Sequence, residues 1–144
     1  MTLDRRQATL ALAATLLVRP GRAATGDLAA AVNAYAGGRT PQPGKVRLEI
    51  STLVENGNAV PVTLGVDSPM TAADHVLSIA LFNERNPQRD VVEFQFGPNA
   101  AHAAASTRIR LATSQQLVAV ALLSDGTAWS HSVDVIVTLA ACIE

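Results

Sequence analysis

Cysteine is nearly absent from this chain: of 144 residues only Cys142 is one, so no internal disulfide can form in any compartment. Charge is sparse as well, at 16% of residues with a formal net charge of -1. That gives no electrostatic case for binding nucleic acid or an anionic membrane surface. The chain has no G-x-S-x-G elbow, no phosphate-binding glycine loop and no dinucleotide fingerprint, and so carries no sequence sign of an autonomous active site. Repeats with a period of roughly 20 to 50 residues and extended low-complexity tracts are also missing, which argues against a solenoid or a disordered adaptor. Apolar residues are plentiful, at 49%. They can furnish the core of one domain without disulfide staples or bound metal.

The first residues have a different character. Asp4-Arg5-Arg6-Gln7 precedes an uncharged run from Ala8 to Val18, then Arg19-Pro20 and the small residues Gly21 and Ala23. This is the order of an export signal, and the run falls short of the roughly 20 apolar residues of a membrane-spanning helix. The paired arginines resemble a twin-arginine signal, with the general secretion route as the alternative. Residues 1–23 are therefore expected to be removed, leaving a periplasmic chain. Their loss takes away four arginines and one aspartate, leaving 7 basic and 11 acidic residues and a net charge of -4. Cys142 is far from that cleavage point, so no lipid membrane anchor is expected on it.

Past the signal, residues 24–44 read as a short helix and a linker. Leu28, Ala31, Val32 and Tyr35 recur at helical spacing, Asp27 favours a helix start, and Gly37-Gly38 favours its end. Arg39-Thr40-Pro41-Gln42-Pro43-Gly44 then opposes regular structure. From Lys45 the period becomes two. Val46, Leu48 and Ile50 alternate with polar residues, and so do Val60, Val62, Leu64 and Val66. Glu55-Asn56-Gly57-Asn58 between them suggests a hairpin turn with positive φ. Five further strands are expected over Val76–Phe82, Val91–Phe96, Ala104–Leu111, Gln116–Leu123 and Thr127–Thr138. Seven strands punctuated by turn residues predict an all-β, immunoglobulin-like antiparallel β-sandwich over 45–139. A small Greek-key barrel is the alternative.

Few residues offer chemistry. His75, His102 and His131 lack a close ligand spacing, and a tertiary metal cluster would need Asp67, Asp74 or Asp125 beside them; scattered polar positions are the commoner outcome. No metal, catalytic or cofactor-binding residue is assigned. Trp129 and His131 share a strand face with Val133, Val135 and Val137, which reads as core rather than as a partner surface. Cys142 stands apart because it lies beyond the last strand. A thiolate there can hold a sulfur species in a reversible bond, whereas a buried, inert thiol is the alternative.

Four segments carry a resemblance in family order: Glu55-Asn56-Gly57-Asn58-Ala59-Val60-Pro61-Val62, Asp67-Ser68-Pro69-Met70-Thr71, Ser106-Thr107-Arg108-Ile109-Arg110-Leu111-Ala112 and Ser124-Asp125-Gly126. Together they resemble SoxY, the sulfur-carrier family of thiosulfate oxidation, from about Asp27 to Cys142. The resemblance implies a heterodimer with a SoxZ-like subunit and Cys142 as the covalent sulfur attachment site. It also implies partner enzymes: a haem-containing enzyme that loads sulfur, a hydrolase that releases sulfate and an enzyme that oxidises the sulfane sulfur. The chain itself is then a carrier rather than an enzyme.

The arm, 140–144, departs from the family. Ala140, Ala141, Ile143 and Glu144 flank the cysteine where paired glycines are usual, and these residues restrict backbone freedom that glycine allows. The β-branch of Ile143 favours extension of the last strand into the arm. Glu144 places carboxylates beside the thiol, which disfavour the thiolate. A SoxY-like assembly or redox-sensing protein is the principal alternative to a carrier, and an independent periplasmic metalloenzyme the third reading.

Overall fold

The computed structural model describes residues 23–142; the expected export segment lies almost wholly outside them, as do Ile143 and Glu144. Helix α1, Ala23–Tyr35, starts four residues before Asp27. It ends where the sequence requires, with Gly37 and Gly38 at φ of 69° and 85°. The Gly38 N–H donates to Asn33 O (2.7 Å), closing the last turn in the manner of a glycine-terminated helix.

Among the described residues nine strands come after the helix. They are β1 (Gln42–Pro43), β2 (Val46–Glu49), β3 (Leu53–Val54), β4 (Val60–Val66), β5 (Val76–Asn83), β6 (Asp90–Gln95), β7 (Ala103–Ile109), β8 (Gln115–Leu123) and β9 (Ala128–Val137). The larger sheet runs β1-β9-β8-β5-β6 with β3 also on β9, and the smaller runs β2-β4-β7. All seven expected strands form, in an immunoglobulin-like sandwich. Leu48, Val62 and Leu64 of the smaller sheet and Ile79, Leu81, Leu117 and Val135 of the larger are buried in one cluster between the sheets.

The sheets differ in pattern for a physical reason. In β2 buried and exposed residues alternate strictly, because only one face meets the core. In β5 and β8 nearly every residue is buried, because α1 covers the outer face. Leu28 and Val32 pack there on Ala80, Phe82, Val118 and Val120. Tyr35 adds an edge-to-face contact with Phe82, ring centroids 5.5 Å apart, and its hydroxyl bonds Ser78 Oγ at 2.5 Å. Burial raises the pKa of that phenol above its ordinary value.

Two expectations are corrected. The 39–44 segment is not simply a linker, since Gln42 and Pro43 pair in parallel with Trp129 and Ser130 of β9. Gly44 and Lys45, at φ of 124° and 57°, then swing the chain across to β2 in the other sheet. The second correction concerns the 55–58 segment. Strands β2 and β4 do pair antiparallel, but their connection is no tight turn: it carries β3 away to pair with Ile136 and Val137. Gly57 is absent from the positive-φ residues, and its small size serves a close approach instead.

On β9, Val135 is buried and Trp129, Val133 and Val137 pack against the core cluster. The Trp129 ring carries Lys45 Nζ above it, 4.9 Å from the ring centroid. His131 is the exception on that face: it is exposed, and its Nδ1 accepts the Leu48 N–H at 3.0 Å. The ring thereby ties β9 to the edge strand of the opposite sheet.

Candidate functional site

Strand β9 stops at Val137, so the strand does not run on into the arm as the β-branched Ile143 suggested. Residues 138–142 are nevertheless held by the platform. The Thr138 N–H donates to Val54 O (3.0 Å), the Gly57 N–H to Leu139 O (2.8 Å) and the Ala141 N–H to Leu111 O (3.0 Å). At the tip, the Cys142 N–H donates to Asn58 Oδ1 at 3.2 Å. Cys142 itself is exposed, which removes the buried-thiol alternative.

Cys142 sits on the lip of an open groove of about 750 Å³ at one end of the sandwich. The walls come from Asn83 at the end of β5, from Asn86, Pro87 and Gln88 of the β5–β6 connection, from Asp90 and Val91 of β6, and from Arg110 just after β7. Polar bonding within the fold organises the loop. Asn83, fully buried, donates through Nδ2 to Gln88 O and accepts the Asn86 N–H at Oδ1. Arg89 donates to Glu84 O and Asn86 O, so its guanidinium is committed to the loop. Asn86 joins the loop to the β7–β8 connection, donating to Arg110 O and accepting from the Ala112 N–H and Gln115 Nε2.

Arg110 differs from Arg89. Its side chain is exposed and takes part in no ion pair or hydrogen bond among the described residues, while it faces the groove that Cys142 borders. The groove thus combines a nucleophilic thiol, a guanidinium and a carboxylate, Asp90, in a cleft open to solvent. A cleft this open suits presentation of a covalently held group better than enclosure of a reacting substrate.

The three histidines remain apart. His75 Nδ1 bonds Thr71 O at 2.9 Å, and His131 Nδ1 serves Leu48. Among the described residues no three His, Cys, Asp or Glu side chains come together in a way that could hold a metal ion. Nor is any described helix long and apolar enough to cross a membrane.

Comparison with solved structures finds the same architecture. The sulfur carrier protein SoxY from Chlorobium limicola f thiosulfatophilum superposes with a TM-score of 0.66 at 24% identity, over 78% of this chain and 93% of that one. A superoxide reductase (neelaredoxin) from Ignicoccus hospitalis gives 0.58 at 20% identity, over 65% of this chain and 80% of that one. The superoxide reductase from Nanoarchaeum equitans gives 0.57 at 14%, over 67% of this chain and all of that one. Likeness at these identities speaks for the fold. No curated protein sequence matches the chain. The family model for sulfur oxidation protein SoxY matches residues 32–142, from the last turn of α1 to the exposed cysteine, and the chain belongs to the SoxY family.

Proposed function

We propose that this protein is a covalent sulfur carrier of a periplasmic thiosulfate-oxidising system, with Cys142 as the attachment site. The observation that carries the reading is the position of its one cysteine: exposed, beyond the last strand, on the lip of a groove and at the last residue of the family match. In the loading step the Cys142 thiol loses its proton and bonds the outer sulfur of thiosulfate. The two electrons released pass to a haem-containing partner. Hydrolysis of the resulting S–S–SO3⁻ group adds one water, releases sulfate and a proton, and leaves a persulfide on Cys142. A sulfane-oxidising partner acts on that sulfur, and the carrier turns over no substrate alone.

Arg110 supports this chemistry because its guanidinium is a cation in the groove where anionic thiosulfate and the sulfonate end of the adduct must be accommodated. A SoxZ-like subunit is the heterodimer partner. Leu53 and Ile136, register partners on the outward face at the root of the arm, support its docking there: they are 57% and 59% exposed. Export through residues 1–23, by the twin-arginine route, brings the chain to the periplasm.

One observation favours the second reading, an assembly or redox-sensing protein: the arm is bonded to the platform and lacks the family's flanking glycines. Intact-mass measurement distinguishes the two. With thiosulfate and competent partner enzymes, the native protein gains a sulfur-containing adduct that a reductant removes. The Cys142→Ser protein gains none, since an alcohol cannot form the corresponding bond. A native protein that stays unmodified under the same conditions overturns the carrier reading.

A further inference from the structure

Three backbones meet at Gly57. It lies in the β3–β4 connection, buried between Leu111, just past β7, and Leu139, just past β9. Gly57 donates to Leu139 O and accepts the Leu111 N–H, both at 2.8 Å. Leu111 O in turn accepts the Ala141 N–H. A Cβ on Gly57 would fall 2.4 Å from that Leu111 oxygen and 3.0 Å from the Ala141 nitrogen, against the bond that holds the arm. Glycine is needed because the arm passes so closely, and any larger residue must displace the arm or the β7 exit.

Asn58 completes the arrangement with a side chain whose orientation is determined. Its N–H and its Nδ2 both donate to Asn56 Oδ1, at 3.0 and 2.9 Å. With the amide nitrogen so directed, Oδ1 is left to accept the Cys142 N–H. A flipped amide would lose the bond to Asn56 and present a donor to a donor. Gly57 bonds the chain at Leu139, and Asn58, oriented by Asn56, bonds it at Cys142, both through the arm's backbone groups rather than through the thiol.

We propose that this loop is a latch for the arm, and that Gly57 and Asn58 are positioning residues holding Cys142 at the groove until a partner displaces them. The proposal rests on the carrier reading for its purpose, since a carried group must leave the platform to enter a partner's active site. Latched, the cysteine backbone is held at the groove that Arg110 also lines. Unlatched, with Thr138 still bonded to Val54, four residue steps give the cysteine a reach of about 13 Å. The alanines flanking Cys142 fit a latched arm: Ala141 has its N–H committed, and no glycine is there to favour the free state.

The single cysteine makes a direct test possible. A nitroxide attached to Cys142 of the full mature chain reports arm mobility by electron paramagnetic resonance, with thermal unfolding as a check that each variant folds. The native label is expected to be mostly immobilised. Asn58→Ala is expected to shift the balance of immobile to mobile label about fivefold toward mobile, in line with the loss of one net hydrogen bond. Asn58→Asp keeps an acceptor for the Cys142 N–H but loses the donation to Asn56 Oδ1 and sets a carboxylate oxygen against it, so it is expected to recover immobilisation only in part. Gly57→Ala is expected to mobilise the label further where it folds. A label equally mobile in the native and Asn58→Ala proteins overturns the latch. No sulfur chemistry enters the readout, so a failed latch and a failed carrier are separate results.

Discussion

The two ends of β9 are built alike and finished differently. Each receives a two-residue parallel partner, β1 at Trp129-Ser130 and β3 at Ile136-Val137. At the first end the apolar surface is covered: Trp129 lies on the core under Lys45, and the Ser124-Asp125-Gly126 turn closes the hairpin. At the second end Leu53 and Ile136 face water, Leu139 is 59% exposed, and the chain leaves the sheet to carry the cysteine. One kind of pairing thus serves closure at one end and display at the other. The neighbouring segments make the difference. A glycine-assisted crossover folds the chain back over the first end, whereas a loop of Asn56, Gly57 and Asn58 reaches under the departing arm at the second.

Substitutions can separate the two roles. The largest loss of stability is expected from Trp129→Ala, about 2–3 kcal/mol in chemical denaturation, below the full core value because the ring is only partly buried. Sulfur loading of the surviving folded protein should be unchanged. The double variant Leu53→Ser, Ile136→Ser should do the reverse: a stability change within about 0.5 kcal/mol, but at least a tenfold weaker association with a SoxZ-like subunit in calorimetric titration. Equal effects of both variants on stability would erase the distinction between the ends.

The smallest effect is expected at the hairpin turn. The Thr127 hydroxyl, and then the Thr127 N–H, donate to Asp125 and hold its carboxyl below the usual carboxylate range. A depressed folded pKa means that this stabilisation is complete above the ordinary value of about 3.9 and is lost as pH falls through the lowered one. Asp125→Asn should therefore lower the melting temperature slightly at pH 7 and flatten its decline as the pH falls below about 4.

Much of the architecture is legible from period alone. The alternation at Val46–Leu48 and Val60–Val66 reflects one buried face, and the apolar runs in β5 and β8 reflect two. Strands β1 and β3 are not legible because two residues make no period; each exists only through its register with β9. The arm shows the same limit. Cys142 is conspicuous in the sequence, but Gly57 looks like a turn glycine until Leu111 and Ala141 are brought against it from 54 and 84 positions away. Asn58 and Arg110 stand within recognisable motifs, yet their acceptors and neighbours are set by tertiary contact, which no local pattern encodes.

The bond from Leu48 N–H to the His131 ring has a bearing on solubility. Strand β2 borders the smaller sheet, and a bare border strand offers its amides as a template on which a second molecule can add a strand and begin to aggregate. The imidazole occupies the place where the carbonyl of such an added strand would bond. Any molecule joining at that border must first displace a side chain anchored in the opposite sheet, so one histidine guards the chain against misassembly along an edge that β4 alone leaves open.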